Sequence, residues 1–180
     1  MARNIEIKAR IDSVDAVLPR ARAIADDGPT EILQDDTFFS CPNGRLKLRA
    51  FSETAGELIF YQRPDRAGPK ESFYVISRTP SPNTLREVLS LAYGASGRVR
   101  KHRTLFMVGR TRVHLDRVEG LGDFLELEVV LSEDETTESG VRVAHELLAK
   151  LGISPRQLIE GAYVDLLQRG DQSTASRDAR

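Results

Sequence analysis

Apolar and polar residues alternate along most of this chain, and helical spacing is confined to a few stretches. Residues 4–11 set the pattern. Ile5, Ile7, Ala9 and Ile11 fall on one side and Asn4, Glu6, Lys8 and Arg10 on the other, which predicts a strand with one apolar and one polar face. Further strands are predicted over 34–39, 45–51, 57–63, 71–78, 98–108, 110–116 and 124–131. Cys41-Pro42-Asn43-Gly44 suits a hairpin turn, and Pro64, Gly68 and Pro69 mark an exposed, mobile loop ahead of Glu71. Helices are predicted over 12–26, capped by Asp12 or Ser13 and kinked or delayed by Pro19, and over 82–91 behind Ser81. Val141, Val143, Ala144, Leu147, Leu148 and Leu151 fall near the spacing of a third helix that Gly152 ends. Ser154-Pro155-Arg156-Gln157 matches a capping box and predicts the start of a fourth.

The polar faces are sorted rather than mixed. Glu6 and Lys8 are matched by Arg45, Lys47 and Arg49, then by Glu57, Tyr61 and Arg63, by Lys101 and Arg103, by Arg110, Arg112 and Asp116, and by Glu126 and Glu128. The opposite faces carry Ile5, Ile7, Leu46, Leu48, Leu58, Phe60, Leu125, Leu127 and Val129, which the helices must cover. Roughly eight such strands are enough to close a sheet, so the expected class is α+β, an antiparallel barrel with flanking helices and its charged face in the lumen. Charges there require mutual pairing or a bound polyanion with metal ions. A solvated outer face, or a salt-bridge network serving stability, fits the same alternation.

Composition narrows the field. The 180 residues suit a single domain, expected over 1–170, while the polar segment 171–180 is expected to be disordered. A net charge of -1 speaks against nucleic-acid binding driven by bulk positive charge. No apolar run approaches the roughly 20 residues that span a bilayer, and the first residues lead straight into a charged segment, so neither membrane insertion nor a signal peptide is expected. Cys41 is the single cysteine, which excludes an internal disulfide, and the default location is the cytoplasm. HExxH, CxxC, GxxxxGK[ST] and GxGxxG are all absent, so zinc is not expected and any phosphate chemistry must use side chains.

Five pieces in order carry a family resemblance: Asn4-x-Glu6-x-Lys8; Gln34-x-Asp36-Thr37-Phe38-Phe39; Leu46-Lys47-Leu48-Arg49; Lys101-x-Arg103; and Leu115-Asp116-x-Val118-Glu119-Gly120-Leu121-Gly122-Asp123-Phe124-x-Glu126-x-Glu128. From Asn4 to about Leu167 the chain resembles the CYTH family, the triphosphate tunnel metalloenzymes, which include class IV adenylyl cyclases, thiamine triphosphatases and inorganic tripolyphosphatases. The resemblance implies an antiparallel barrel enclosing a tunnel. It implies that Glu6, Asp116, Glu126 and Glu128 hold Mg2+ or Mn2+, ions that favour such oxygen ligands. It also implies that Lys47, Arg49, Arg63, Lys101, Arg103 and Arg112 grip a triphosphate while Lys8 assists attack on phosphorus. Arg45 and Arg110 read as surface residues, Tyr61 and Tyr74 as packing, and His102 and His114 as incidental. Tyr163 and Asp165 match a C-terminal stretch of the family without an assigned role.

Two departures bear on the reaction. The family's first strand usually reads ExExK, and Asn4 brings a carbonyl oxygen without charge to its first position, which puts occupancy by two metals in question. Thiamine triphosphatases carry tyrosines after Asp-Thr where this chain has Phe38 and Phe39, which argues against thiamine triphosphate. The His-Phe pair ahead of the first strand in class IV cyclases is also missing. The expected function is a metal-dependent hydrolase of inorganic tripolyphosphate or a nucleoside triphosphate. A class IV adenylyl cyclase making cyclic AMP and pyrophosphate from ATP is the alternative, and a non-catalytic polyphosphate-binding module a third. The expected partner is a small triphosphate molecule, with no nucleic acid or membrane, and a homodimer is compatible with the apolar helices.

Overall fold

The structure, a computed structural model, describes residues 2–62, 64 and 68–175. Eight strands are present: β1 Ala2–Arg10, β2 Asp27–Phe39, β3 Arg45–Ala50, β4 Gly56–Gln62, β5 Lys70–Thr79, β6 Ala95–Val108, β7 Thr111–Val118 and β8 Gly122–Leu131. They close into a barrel in the order β1-β5-β4-β3-β2-β6-β7-β8, with β8 returning to β1 and every neighbouring pair antiparallel. The helices are α1 Val14–Ile24, α2 Pro82–Tyr93, α3 Thr137–Leu151 and α4 Tyr163–Ala175. Among the described residues, no helix is long and apolar enough to cross a membrane.

Because side chains alternate across a strand, closure sends one face of each strand outward and the other inward. The outward residues Ile5, Ile7, Leu115, Leu125, Leu127 and Val129 are fully buried under α1 and α3, through Val14, Val17, Ala21, Ala144, Leu147 and Leu151. Each such aliphatic contributes about 1.5–3 kcal/mol relative to exposure. A smaller outer cluster packs α2, through Leu85 and Leu89, onto Phe39, Leu46, Leu48 and Leu58. The third cluster combines inward residues of six strands with the start of α4: Phe38, Ile59, Tyr61, Tyr74, Val99, Val118 and Phe124 meet Ala162, Tyr163 and Val164. It forms an apolar floor at one end of the lumen. A one-residue slip in any strand would exchange the two faces, so this burial holds the register.

Several boundaries differ from the sequence reading. β2 begins at Asp27, seven residues ahead of the predicted strand, and pairs with β6 along its length past a register irregularity between Asp27 and Thr30. Gly28 and Pro29 in that segment carry loop chemistry, which hid the strand. Ser13, not Asp12, caps α1 by accepting from the Ala16 N–H at 3.1 Å, and the helix continues through Pro19. The capping box at Ser154 serves only a 3-10 turn, Pro155–Gln157, and the last helix starts at Tyr163. That helix carries regular backbone to Ala175, into the segment expected to be disordered; residues 176–180 lie outside the described residues. Lys70, read as the end of a loop, opens β5 and is fully buried. The loop ahead of it falls largely outside the described residues.

α3 sits close against the barrel at Gly140, where an added Cβ would lie 2.5 Å from Ile5 Cγ1 and 2.7 Å from Leu131 Cδ2. Gly140→Val is expected to destabilise the protein by about 1–3 kcal/mol through overpacking, read as a lower thermal midpoint. An unchanged midpoint would contradict this seating of α3.

Candidate active site

The lumen is a cavity of about 350 Å³ whose wall gathers Lys8, Lys47, Arg49, Lys101, Arg103 and Arg112 with Glu6, Asp36, Glu57, Glu126 and Glu128. Strand pairing places these charges against one another. Glu128 stands across from Glu6 on one side and Arg112 on the other, and Glu126 stands across from Lys8 and His114. Arg103 pairs with Asp116, and Arg49 with Asp36.

Two carboxylates organise the cations. Asp36, buried at 2% exposure, accepts from Arg49 Nε and Nη2 at 2.8 Å each and from Lys47 Nζ at 2.9 Å. Burial raises its pKa, but Arg49 and Lys47 outweigh burial and hold it well below the usual carboxylate range. Asp116 is completely buried and accepts from Arg103 Nε and Nη2 at 2.7 Å each, while Tyr163 Oη donates to its Oδ2 at 2.9 Å. Lys101 Nζ lies 3.7 Å from the same oxygen. Arg103 also donates to Glu126 Oε2 at 3.0 Å, and Arg112 to Glu128 Oε2 at 3.1 Å. Glu126 is held well below its ordinary pKa because Lys8, Arg103 and Lys101 together overcome its burial. Lys101 is pushed down to about 7, chiefly by burial and then by the adjacent Arg103. His114 is pushed down to about 4 by burial and Arg103, so it is neutral at pH 7.

A family model described as the CYTH domain matches residues 2–163. The chain belongs to the CYTH family. Among curated relatives it is similar to adenylate cyclase CyaB of Aeromonas hydrophila, 25% identical over 92% of this chain and 88% of that protein. It is also similar to putative adenylate cyclase MJ0240 of Methanocaldococcus jannaschii, 24% identical over 90% of this chain and 97% of that one. Among solved structures it shares its fold with the PH1012 protein of Pyrococcus horikoshii OT3, with a TM-score of 0.81 and 22% identity over 91% of this chain and 99% of that one.

The CYTH barrel brings together ten of the eleven site residues expected from the sequence. Lys8, Lys47, Arg49, Lys101, Arg103, Arg112, Glu6, Glu126 and Glu128 line the lumen. Asp116 lies behind that wall, where both of its oxygens are engaged by Arg103; it anchors this arginine instead of facing the cavity as a metal ligand would. Arg63 lies outside the described residues. Arg110 is exposed and paired with Glu135. Arg45, read as a surface residue, is half-buried and paired with Asp165 at 2.9 Å, which ties β3 to α4. His114 is enclosed in the lumen wall, with Nδ1 3.9 Å from Glu128 Oε1. Sequence reading assigned no role to Asp36 or Tyr163. The signal for Asp36 was its place inside a family motif, whereas Tyr163 comes from a separate helix that no strand pattern connects to the tunnel.

The donors around Glu6 suit a hard divalent cation. Glu6 and Glu128 are like charges directly across a ladder, with buried Lys70 across from Glu6 on its other side and Arg112 donating to Glu128. Asn4 Oδ1 nearby is buried with no hydrogen-bond partner among the described residues. All of these donors are oxygens, as Mg2+ and Mn2+ prefer. Among the described residues no three acidic, histidine or cysteine side chains close on one point.

Two outcomes follow. Asp36→Ala leaves Arg49 and Lys47 buried without their partner and is expected to cost about 3–5 kcal/mol, measured by chemical denaturation; a loss under about 1 kcal/mol would contradict its organising role. Inorganic tripolyphosphate binding near pH 7.5 is expected to take up a proton, because a bound anion favours the charged form of Lys101 whereas the free lysine is largely neutral above about pH 7. Affinity then falls as pH rises further. Calorimetry in buffers of different ionisation enthalpy reads this, and a binding heat independent of buffer would contradict it.

Proposed function

We propose that this CYTH protein is a divalent-metal-dependent hydrolase of a triphosphate, either inorganic tripolyphosphate or a nucleoside triphosphate. The observation that carries the reading is the charge balance of the lumen. Among the described residues, six lysines and arginines line it, Lys8, Lys47, Arg49, Lys101, Arg103 and Arg112, against five carboxylates on the wall and Asp116 behind it. The lining side chains are thus close to balanced in formal charge, with Lys70 also buried across from Glu6, and most of these cations already have carboxylate partners. A triphosphate with several negative charges is accommodated only if further positive charge enters with it, which the Glu6, Glu126 and Glu128 donors are suited to hold.

In this reading Arg49, Arg103 and Arg112 offer forked contacts to phosphate oxygens, and Lys47 and Lys101 act as point charges that offset the spread negative charge. Arg63 is assigned to the same group from its sequence position. Lys8, beside the Glu126 carboxylate across the β1–β8 ladder, orients the attacked phosphoryl group and stabilises the charge that develops as water attacks the terminal phosphorus and the remaining diphosphate leaves. Divalent metal, when bound, supplies Lewis-acid polarisation of phosphoryl oxygen and a more acidic water. The closed barrel limits access of bulk water, which strengthens each of these contacts. Phe38 presents a ring and no hydroxyl to the lumen, so no tyrosine at that position assists the attack.

A second reading, adenylyl cyclase, draws on the names of the Aeromonas and Methanocaldococcus relatives. There the ribose 3'-hydroxyl attacks the α-phosphorus and pyrophosphate leaves. Incubation with tripolyphosphate, and separately with ATP, under Mg2+ or Mn2+ separates the two. Orthophosphate is expected, lost by at least about a hundredfold in a Glu126→Gln, Glu128→Gln double variant and abolished by chelation. Cyclic AMP and pyrophosphate from ATP would replace the first reading by the second, and tripolyphosphate binding without any product would overturn both.

A further inference from the structure

The lysines of the lumen lie over aromatic rings of its floor. Lys8 Nζ is 3.8 Å from the centre of the Tyr163 ring, and Lys101 Nζ is 5.0 Å from the same centre. Lys47 lies 5.7 Å and 5.6 Å from the Phe38 and Tyr61 ring centres. Tyr163 is 5% exposed, and Phe124 packs against it at 4.9 Å between ring centres. Its hydroxyl donates to Asp116, the carboxylate that holds Arg103. Burial and the Asp116 and Glu126 charges keep the phenol protonated, so this donation persists over the working pH range.

An ammonium enclosed in a barrel loses much of its hydration and needs compensation. The negative face of an aromatic ring supplies part of it without neutralising the charge, whereas a carboxylate in the same place would compete with an incoming phosphate. A ring also leaves the opposite side of the ammonium free to meet an anion. We infer that Tyr163 is the positioning residue for Lys8: its ring face holds the ammonium turned into the lumen, while its hydroxyl sets Asp116 and through it Arg103. This rests on the triphosphate reading of the lumen. By this account α4 does more than close one end of the barrel, because its first residue couples Lys8, Lys101 and Arg103.

The test keeps the shape of the ring and changes its electrostatics. Phenylalanine, difluorophenylalanine and trifluorophenylalanine are placed at position 163 of the full chain, and kcat and KM are measured with whichever of tripolyphosphate or ATP the wild type turns over. Tyr163→Phe removes the hydroxyl alone. From phenylalanine to the trifluoro ring, kcat is expected to fall progressively, by about tenfold in all, with the thermal midpoint unchanged. In a Lys8→Ala background the same series should be flat. A residue that served packing alone would give no dependence on fluorination, and that result, or an equal dependence in the Lys8→Ala background, would overturn the inference. A second readout needs no turnover. In the unliganded protein the ε-methylene protons of Lys8 should show an upfield ring-current shift by NMR, kept in Tyr163→Phe and lost in Tyr163→Leu. Its absence in the wild type would also overturn the inference. If the wild type hydrolyses neither substrate, the functional reading fails while the ring-current measurement still decides the position of Lys8.

Discussion

Closure of an eight-stranded antiparallel sheet is the constraint on which everything else depends. Once β8 returns to β1, each strand must divide its residues between an outside that helices cover and an inside that has no exit except the two ends. The outer face is occupied by the Ile5, Ile7, Leu125, Leu127 and Val129 layer under α1 and α3. The charged residues then have no alternative to the lumen. Their proximity is thus a consequence of burying the aliphatic side, and the free energy that concentrates charge comes from hydrophobic burial outside the wall.

Charges so confined persist only in pairs. Asp36 holds Lys47 and Arg49, and Asp116 holds Arg103. Breaking such a pair leaves an uncompensated buried charge, which costs far more than the intact pair contributes. The same pairing offsets most of the positive charge of the lumen. Under the proposed function, lysines and arginines already desolvated and oriented by this pairing would require little reorganisation to grip phosphate.

The floor adds a second kind of order. Inward residues at one end of the strands are aromatic or aliphatic, and α4 closes over them with Ala162, Tyr163 and Val164. Gly97 permits this, since a Cβ there would come within 2.3 Å of Val164 Cγ2. Burial in this closed end, with Arg103 beside it, lowers the pKa of Lys101. Charge pairing on the walls and apolar packing on the floor therefore act on the same cations.

Much of this was present in local pattern. Alternation placed strands at Asn4–Lys8, at Lys47–Arg49 and at Glu126–Glu128, and it sorted charge from aliphatic residues, because a period of two is a property of each strand by itself. Ordered motifs then identified the CYTH family and nearly all of the lumen's charged residues. Partnership was not local. Whether Asp116 would face the cavity or anchor Arg103 depended on the β6–β7 register, and the half-burial of Arg45 depended on Asp165 arriving from α4. β2 was half hidden because Gly28 and Pro29 resemble a loop and only pairing with β6 makes that segment a strand. Tyr163 reaches Lys8 across 155 positions of sequence, and no period along the chain encodes that contact. The sequence by itself determined which faces are charged, since that follows from neighbours two residues apart. Only the tertiary structure decided which charges meet and what lies beneath them, since that follows from barrel closure and from the seating of α4.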